Sequence, residues 1–443
     1  MLPTARLLKG LPASSLQKTV LQSVVSQTLT HQDVSSSPAW SPSSSSPSVS
    51  PSSPPPSNLQ PLEVTVNTGI HSTSTFPFGA SSDPLTEWHL QTPPSSILSP
   101  YSSSPDPKVD PFVLTSEELK TMSQEMMDLL SSSHPVLSSC AGYFFTKESG
   151  KKVRPTMVLL TSYALNPHST PPSSNPSLPM QETSHGGLLE TQRRLAEITE
   201  MIHTASLFHD DVIDKSTTRR SLPSVNHQFG NKLAILAGDF LLARASVSLS
   251  RLRNLEVTEV MSTVIEHLVK GEVMQMRVLK KGNFEYYLKK NFYKTSSLMA
   301  NSCMSAAILA GVEGRKIEGS YNYGKYLGNA FQLIDDVLDF NGSQDLLGKP
   351  LLSDLNSGVT TAPVLYAAEE YPEMYEIIER KYGAEGDIDK ALEIINNSAG
   401  IQKTIDLAKT HAEVAVKSLN VMEDSVYKEA MGNLAVRIIE REN

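Results

Sequence analysis

Two short acidic clusters share one pattern: His209-Asp210-Asp211-Val212-Ile213-Asp214 and Ile334-Asp335-Asp336-Val337-Leu338-Asp339. Both sit in apolar surroundings with helical spacing. Residues four apart share a helix face, so Asp210 projects beside Asp214, and Asp335 beside Asp339. Two carboxylates about 4 Å apart repel by about 4 kcal/mol at an effective dielectric of about 20, so each pair requires a compensating cation. Magnesium fits this requirement: it takes oxygen ligands, keeps part of its water, and is held by one or two carboxylates plus phosphate oxygens.

Cations recur around these clusters. Gly150-Lys151-Lys152-Val153-Arg154-Pro155 places basic residues before a helix start, where backbone amides and the dipole also favour an anion. Arg219 and Arg220 follow the first cluster closely, Lys349 follows the second, and Lys294 with Thr295 lies between the two. Carboxylates that hold a metal, with Lys and Arg to hold the remaining oxygens, suit a magnesium-bridged diphosphate. Acid-base catalysis would need a carboxyl or imidazole with a shifted pKa, whereas six aspartates beside a metal are expected to stay ionised.

The elements that must position these groups are helices. Helical periodicity runs over about 188–214, 231–252, 256–280, 284–311 and 318–341, and strand-like alternation is nearly absent. Order is expected to begin near Pro111, where Thr115 and Glu118 suggest a capping box ahead of Leu119, Met122, Met126 and Leu129. Pro155 suits the first turn of a helix through Leu165, and the Pro/Ser-rich stretch 166–187 reads as a loop insertion. Met261, Met274, Met276, Phe292 and Tyr323 lie in helical stretches and are read as core. The expectation is an all-α fold, one large helical bundle over residues 111–443.

Upstream, residues 35–110 form a Ser/Pro-rich spacer with too little apolar material to offset chain entropy. Residues 1–34 carry Arg6, Lys9 and Lys18 among Ser, Thr, Leu and Val, with no acid before Asp33, and resemble a mitochondrial transit peptide. The net charge of −9, with scattered basic residues, gives no reason to expect a nucleic-acid partner. Cys140 and Cys303, the only cysteines, supply neither a disulfide framework nor a zinc site and fit a reducing compartment. No apolar run is expected to reach transmembrane length.

Taken in order, these motifs resemble the trans-isoprenyl diphosphate synthases. Asp210-Asp211-Val212-Ile213-Asp214 and Asp335-Asp336-Val337-Leu338-Asp339 match the two DDxxD signatures. Gly150-Lys151 with Arg154-Pro155, Arg219-Arg220, Gly238-Asp239, Lys294-Thr295 and Phe331-Gln332 match the accompanying elements. The likeness covers residues 111–443 and is nearest to the long-chain branch, including mitochondrial hexaprenyl synthases, that supplies quinone side chains. It implies a helical bundle of the isoprenoid-synthase type around a central active-site cavity. It also implies a catalytic role for all six aspartates, with Asp210, Asp214 and Asp335 holding Mg2+ on an allylic diphosphate. Arg219, Lys294, Thr295, Gln332 and Lys349 would contact that diphosphate, while Lys151, Arg154, His203 and Arg220 would bind isopentenyl diphosphate. The magnesium and cations would stabilise the leaving diphosphate while the isopentenyl double bond attacks the allylic carbon.

The pattern is not matched throughout. Ser149 and Ser221 stand where glycine is usual in the family, and Val359 stands where short-chain relatives carry a lysine; the last resembles the long-chain branch. Residues four and five before Asp210, Ser206 and Ala205, lie about 6 to 7.5 Å down the helix axis. In the family a bulky aromatic there stops the growing chain, so these small residues imply a longer product, with Ile202 and Ile198 next along that face. The alternatives are a geranylgeranyl diphosphate synthase, a non-catalytic partner subunit, which typically lacks claw aspartates, and a terpene cyclase, which the Lys151/Arg154 site disfavours. The resemblance also implies a homodimer or hetero-oligomer, and a lipid product suggests peripheral association with the mitochondrial inner membrane.

Overall fold

A computed structural model of the chain describes residues 96–131, 134–145, 150–166, 187–219, 222–277, 284–341 and 352–441. The transit-peptide segment, residues 35–95 of the spacer, nearly all of the 166–187 insertion, and Arg220 and Lys349 lie outside them. The described structure starts upstream of the expected Pro111. The helical turn Ser96–Leu98 packs on the helix Gly400–Ser418 and the turn Pro107–Val109 on the C-terminal helix Val426–Ile439, where the Ser102 N–H donates to Asn433 Oδ1 at 2.9 Å and Arg437 pairs with Asp110 at 2.9 Å. The Ser/Pro composition concealed this anchorage because its partners lie more than three hundred residues away.

Helix α1 (Pro111–Leu114) is capped by Asp110, whose carboxylate accepts from the Phe112 and Val113 amides. It leads into α2 (Ser116–Leu130), and here the expected capping box fails. With 111–114 already helical, the Thr115 hydroxyl donates back to Pro111 O at 2.9 Å, and Glu118 instead accepts from the Tyr163 hydroxyl. Next come α3 (Pro135–Ala141), α4 (Val153–Leu165) and α5 (Glu190–Ile213), which carries the first aspartate motif at its end. A two-residue antiparallel pair, β1 (Thr218–Arg219) with β2 (Leu222–Pro223), is the only sheet among the described residues.

Helices α6 (Val225–Phe229), α7 (Asn231–Arg251) and α8 (Leu255–Gln275) follow. The expected continuous helix over 284–311 is divided into α9 (Phe284–Asn291), a π-helical turn (Phe292–Ser296) and α10 (Ser297–Leu309). The second aspartate motif ends α11 (Arg315–Asn341). Beyond it lie α12 (Ser353–Asn356), α13 (Ala362–Glu370), α14 (Met374–Glu379), α15 (Asp387–Asn397), α16 (Gly400–Ser418) and α17 (Val426–Ile439).

The bundle is centred on α5 and α11. Helix α5 packs on α4 and α7, and α11 on α10 and α16. Close approach depends on glycine: a Cβ at Gly328 of α11 would fall 2.6 Å from Ser296 Cα. Met261 and Tyr323 are buried as expected, whereas Phe292 and Met274 are half-buried and Met276 is exposed at the frayed end of α8. The expectation about transmembrane length also needs correcting, since α7 is long and apolar enough to cross a membrane by length and composition alone.

Candidate active site

The first motif lies in the last turn of α5, with Asp214 as its C-cap. The helix dipole is negative there, which adds to the mutual repulsion of the carboxylates. Asp211 turns inward and is fully buried, accepting from Arg219 Nε at 2.9 Å and Nη2 at 2.6 Å through one oxygen. Arg219, expected at the diphosphate, is thus held by Asp211 and fastens the β-turn onto α5. Asp210 and Asp214 stay at the surface of the site. Burial raises the Asp210 pKa to about 6, with Lys294 opposing and Glu272 and Asp214 reinforcing, a cost that a bound cation would relieve.

Lys294 comes from the π-turn, a distortion often found at functional sites. Its ammonium lies 2.6 Å from Glu272 and 3.8 Å from Asp210. Burial works against this charge, but Asp210 and Glu272 outweigh it and hold the Lys294 pKa above the ordinary value. Gly271 makes the approach possible, since a Cβ there would lie 2.8 Å from the Lys294 amide nitrogen. The following π-turn residue, Thr295, donates to Gln332 Oε1 at 2.8 Å, and Gln332 Nε2 donates to Asp336 Oδ1 at 3.0 Å, linking the turn to the second motif.

In that second motif only Asp335 is open. Asp336 also accepts from the Tyr287 hydroxyl at 2.5 Å and the Ala362 amide at 3.2 Å, and burial raises its pKa to about 6. Asp339 is fully buried and accepts from Ser353 N, Ser353 Oγ and Asp354 N at 3.1–3.3 Å. The expected Asp335/Asp339 claw is therefore not formed: Asp339 caps α12 instead, a role invisible in the i, i+4 spacing.

Asp335 faces a basic group. Arg441 Nη2 lies 3.0 Å from its carboxylate, and the same guanidinium stacks 4.0 Å from the Phe331 ring centroid. Arg154 covers the same ring at 5.8 Å and donates to His203 Nε2 at 3.2 Å, which joins the two residues expected to share a substrate. Burial, followed by Arg441 and Arg437, lowers the Lys151 pKa, while Asp335 opposes. Sequence reasoning missed Glu272, Tyr287 and Arg441, each of which meets its partner only through packing between distant helices.

Along α5 below the motif, Ser206 is half-buried, whereas Ala205, Ile202 and Ile198 are buried in one apolar cluster with Phe208. No group of three ligating side chains gathers into a single metal shell among the described residues. The donors nevertheless fit a hard divalent cation: Asp210 and Asp214 offer carboxylate oxygens from one helix end, and burial leaves Asp210 short of positive charge.

A helical bundle with aspartate motifs ending two central helices, each beside clustered cations, is the architecture of isoprenyl diphosphate synthases. A polyprenyl synthase from Caulobacter crescentus, solved with calcium and isoprenyl diphosphate, superposes with a TM-score of 0.66 at 28% identity, covering 80% of this chain and 100% of that one. A heptaprenyl diphosphate synthase from Staphylococcus aureus gives 0.66 at 27% identity, covering 74% and 99%. In sequence, a probable mitochondrial hexaprenyl pyrophosphate synthase of Yarrowia lipolytica is 42% identical over 384 residues, 75% of this chain and 85% of that protein. A mitochondrial solanesyl-diphosphate synthase of Oryza sativa is 44% identical over 319 residues, 71% and 74%. The sequence model of the polyprenyl synthetase family matches residues 134–395, and the chain belongs to that family, an enzyme of the prenyltransferase class.

Proposed function

We propose that the chain condenses isopentenyl diphosphate repeatedly onto an allylic diphosphate such as farnesyl diphosphate, giving a long all-trans polyprenyl diphosphate, with hexaprenyl the expected product and a quinone side chain its use. The observations that carry this reading are that Asp210 and Asp214 end α5 beside Lys294, while Arg154 meets His203 further down the same helix and Lys151 lies in the field of Asp335 on α11. One pole suits a metal-held diphosphate and the other a diphosphate gripped by cations. Bound Mg2+ would neutralise charge on the leaving diphosphate. Lys294 would take up oxygens on the same group, and Arg154 would hold the second substrate so that its double bond faces the allylic carbon. Arg219 and Gln332 would act by fixing Asp211 and Asp336; Arg220 and Lys349 keep their proposed phosphate contacts.

Small residues at 205 and 206 support the long product. The names of the mitochondrial relatives, with the basic, acid-free residues 1–32, support a mitochondrial matrix location. Self-association into a homodimer is supported by the exposed apolar residues Ile235, Leu236 and Val247 on α7 and Val269 and Val273 on α8. A lipid product supports peripheral membrane association. The test is incubation of the full chain with Mg2+, farnesyl diphosphate and labelled isopentenyl diphosphate, with products resolved by length. A ladder ending at hexaprenyl or longer is expected; a stop at geranylgeranyl, or no incorporation by folded protein, overturns the reading.

A further inference from the structure

The segment upstream of α1 is fastened to α17 at points that lead to the second aspartate motif. Asn433 and Arg437 stand four apart on α17 and share one of its faces. Both ends of the Asn433 amide are engaged: Oδ1 accepts from the Ser102 N–H at 2.9 Å, and Nδ2 donates to Val109 O at 3.1 Å. Arg437 donates through Nε to Ser103 O at 2.8 Å and through Nη2 to Asp110 Oδ2 at 2.9 Å, with its guanidinium 5.4 Å from the Phe112 ring centroid. The Tyr101 ring closes on Gly432, where a Cβ would fall 2.1 Å from Tyr101 Cε1. Leu98, Tyr101 and Phe112 add apolar contact with the cluster that holds Leu434 and Ile438.

Four residues after Arg437, just past the end of α17, stands Arg441. Its Nε donates to Ile438 O at 3.1 Å, and its Nη2 is shared between Phe331 O at 3.1 Å and Asp335 Oδ1 at 3.0 Å. Helix ends fray, so a side chain there keeps a fixed position when the last turns are held from outside. Residues 101–112 hold the last two turns of α17 in this way. The result is a cation seated on the one carboxylate of the second motif that is not committed to a following segment. A divalent cation approaching Asp335 meets like charge and an oxygen already engaged, so it must displace the guanidinium. The first motif differs, because Lys294 stays 3.8 Å from Asp210 and gives its short contact to Glu272.

We propose that residues 101–112 form a strap that sets Arg441 on Asp335 as an internal counter-ion, which a divalent cation must displace from the second aspartate motif. Asn433 and Arg437 are positioning residues that act on the motif only through Arg441. The identity of the incoming cation rests on the reading under Proposed function; the strap and its contacts do not.

The experiment is titration of the full chain with Mn2+, a carboxylate-seeking stand-in for Mg2+, followed by the paramagnetic resonance signal of unbound Mn2+. Arg441→Gln is expected to bind Mn2+ about threefold more tightly than wild type, and adding Asp335→Asn to abolish that gain. Arg437→Gln and Asp110→Asn are expected to tighten binding about twofold, with helicity unchanged by circular dichroism. The double variant Arg437→Gln/Arg441→Gln is expected to match Arg441→Gln alone, whereas a purely structural role for Arg437 would leave the two effects independent. If Arg437→Gln does not fold, Asp110→Asn, whose amide oxygen can still cap α1, decides the matter in the same way. Wild-type affinity in Arg441→Gln, no binding by any of the proteins, a gain that neither strap variant shares, or additivity in the double variant overturns the proposal. Incorporation of labelled isopentenyl diphosphate is measured alongside; its absence in wild type would refute the transferase reading and leave the Mn2+ result standing.

Discussion

The two aspartate motifs spell nearly the same sequence, yet the fold uses them differently. At the end of α5, Asp210 and Asp214 remain open and Asp211 is buried against Arg219. At the end of α11, Asp335 alone is open, while Asp336 and Asp339 are buried and each accepts three hydrogen bonds, Asp336 from Tyr287, Gln332 and Ala362 and Asp339 from Ser353 and Asp354. The difference follows from what the chain does next. After α5 a β-turn folds back and supplies one arginine; after α11 two helix starts, α12 and α13, fold back and supply backbone amides. In each motif the second aspartate anchors the following segment and the first is left for ligand. The pattern therefore fixes the site as well as furnishing it.

Substitution of an open aspartate should break chemistry and spare the fold. Asp210→Ala is expected to lower turnover by about a thousandfold or more, with helicity unchanged by circular dichroism, because charge stabilisation of a leaving group is a large catalytic contribution. Asp335→Ala is expected to act in the same direction. Activity within tenfold of wild type for both would remove the distinction between open and anchored carboxylates. Asp339→Ala should behave in the opposite way. It strips three donors at the start of α12 of their acceptor, and denaturant unfolding is expected to show a loss of about 3 kcal/mol. Asp211→Ala, which leaves a partly exposed arginine unpaired, is expected to cost about 2 kcal/mol.

How far the sequence reveals this division depends on the range of each interaction. The helices were legible because apolar periodicity is local, and the open carboxylates because paired acids at i, i+4 demand a cation. The roles of Asp336 and Asp339 were not legible, since their partners Tyr287, Ser353 and Ala362 come together only when α9, α12 and α13 pack. The Glu272–Lys294 pair joins α8 to a π-turn that periodicity reads as ordinary helix, and Gly271 beside Glu272 was its only local trace. Residues 96–110 were misjudged for the same reason: composition reports the absence of a local core, while Asn433 and Arg437 supply a distant one.

Product length offers a smaller but separable effect. Ser206 is half-buried, whereas Ala205 belongs to the packed interior, so an aromatic side chain is better accommodated at 206. Ser206→Phe is expected to shift the product to shorter chains with little loss of stability, measured by product chromatography and thermal unfolding. Ala205→Phe should both shorten the product and destabilise the fold by about 1 to 3 kcal/mol through overpacking. An unchanged distribution from Ser206→Phe would place the floor away from α5.

The smallest expected effect tests the comparison from the side of stability. Burial lifts the Asp210 pKa from 3.8 to about 6, against the opposition of Lys294. A folded-state pKa above the unfolded value means that its contribution is fully present below pH 3.8 and is lost as pH rises through about 6. Metal-free protein at pH 8 therefore holds Asp210 ionised at a cost that Asp210→Asn removes. The variant is expected to be more stable than wild type by about 1 to 2 kcal/mol at pH 8 in EDTA and equal to it near pH 4. Added Mg2+ at pH 8 should then stabilise wild type and not the variant, because a ligand stabilises only the state that binds it. Were Asp210→Asn instead less stable at pH 8 without metal, Lys294 would be holding Asp210 as Arg219 holds Asp211, and the first motif would be anchored at both of its leading aspartates.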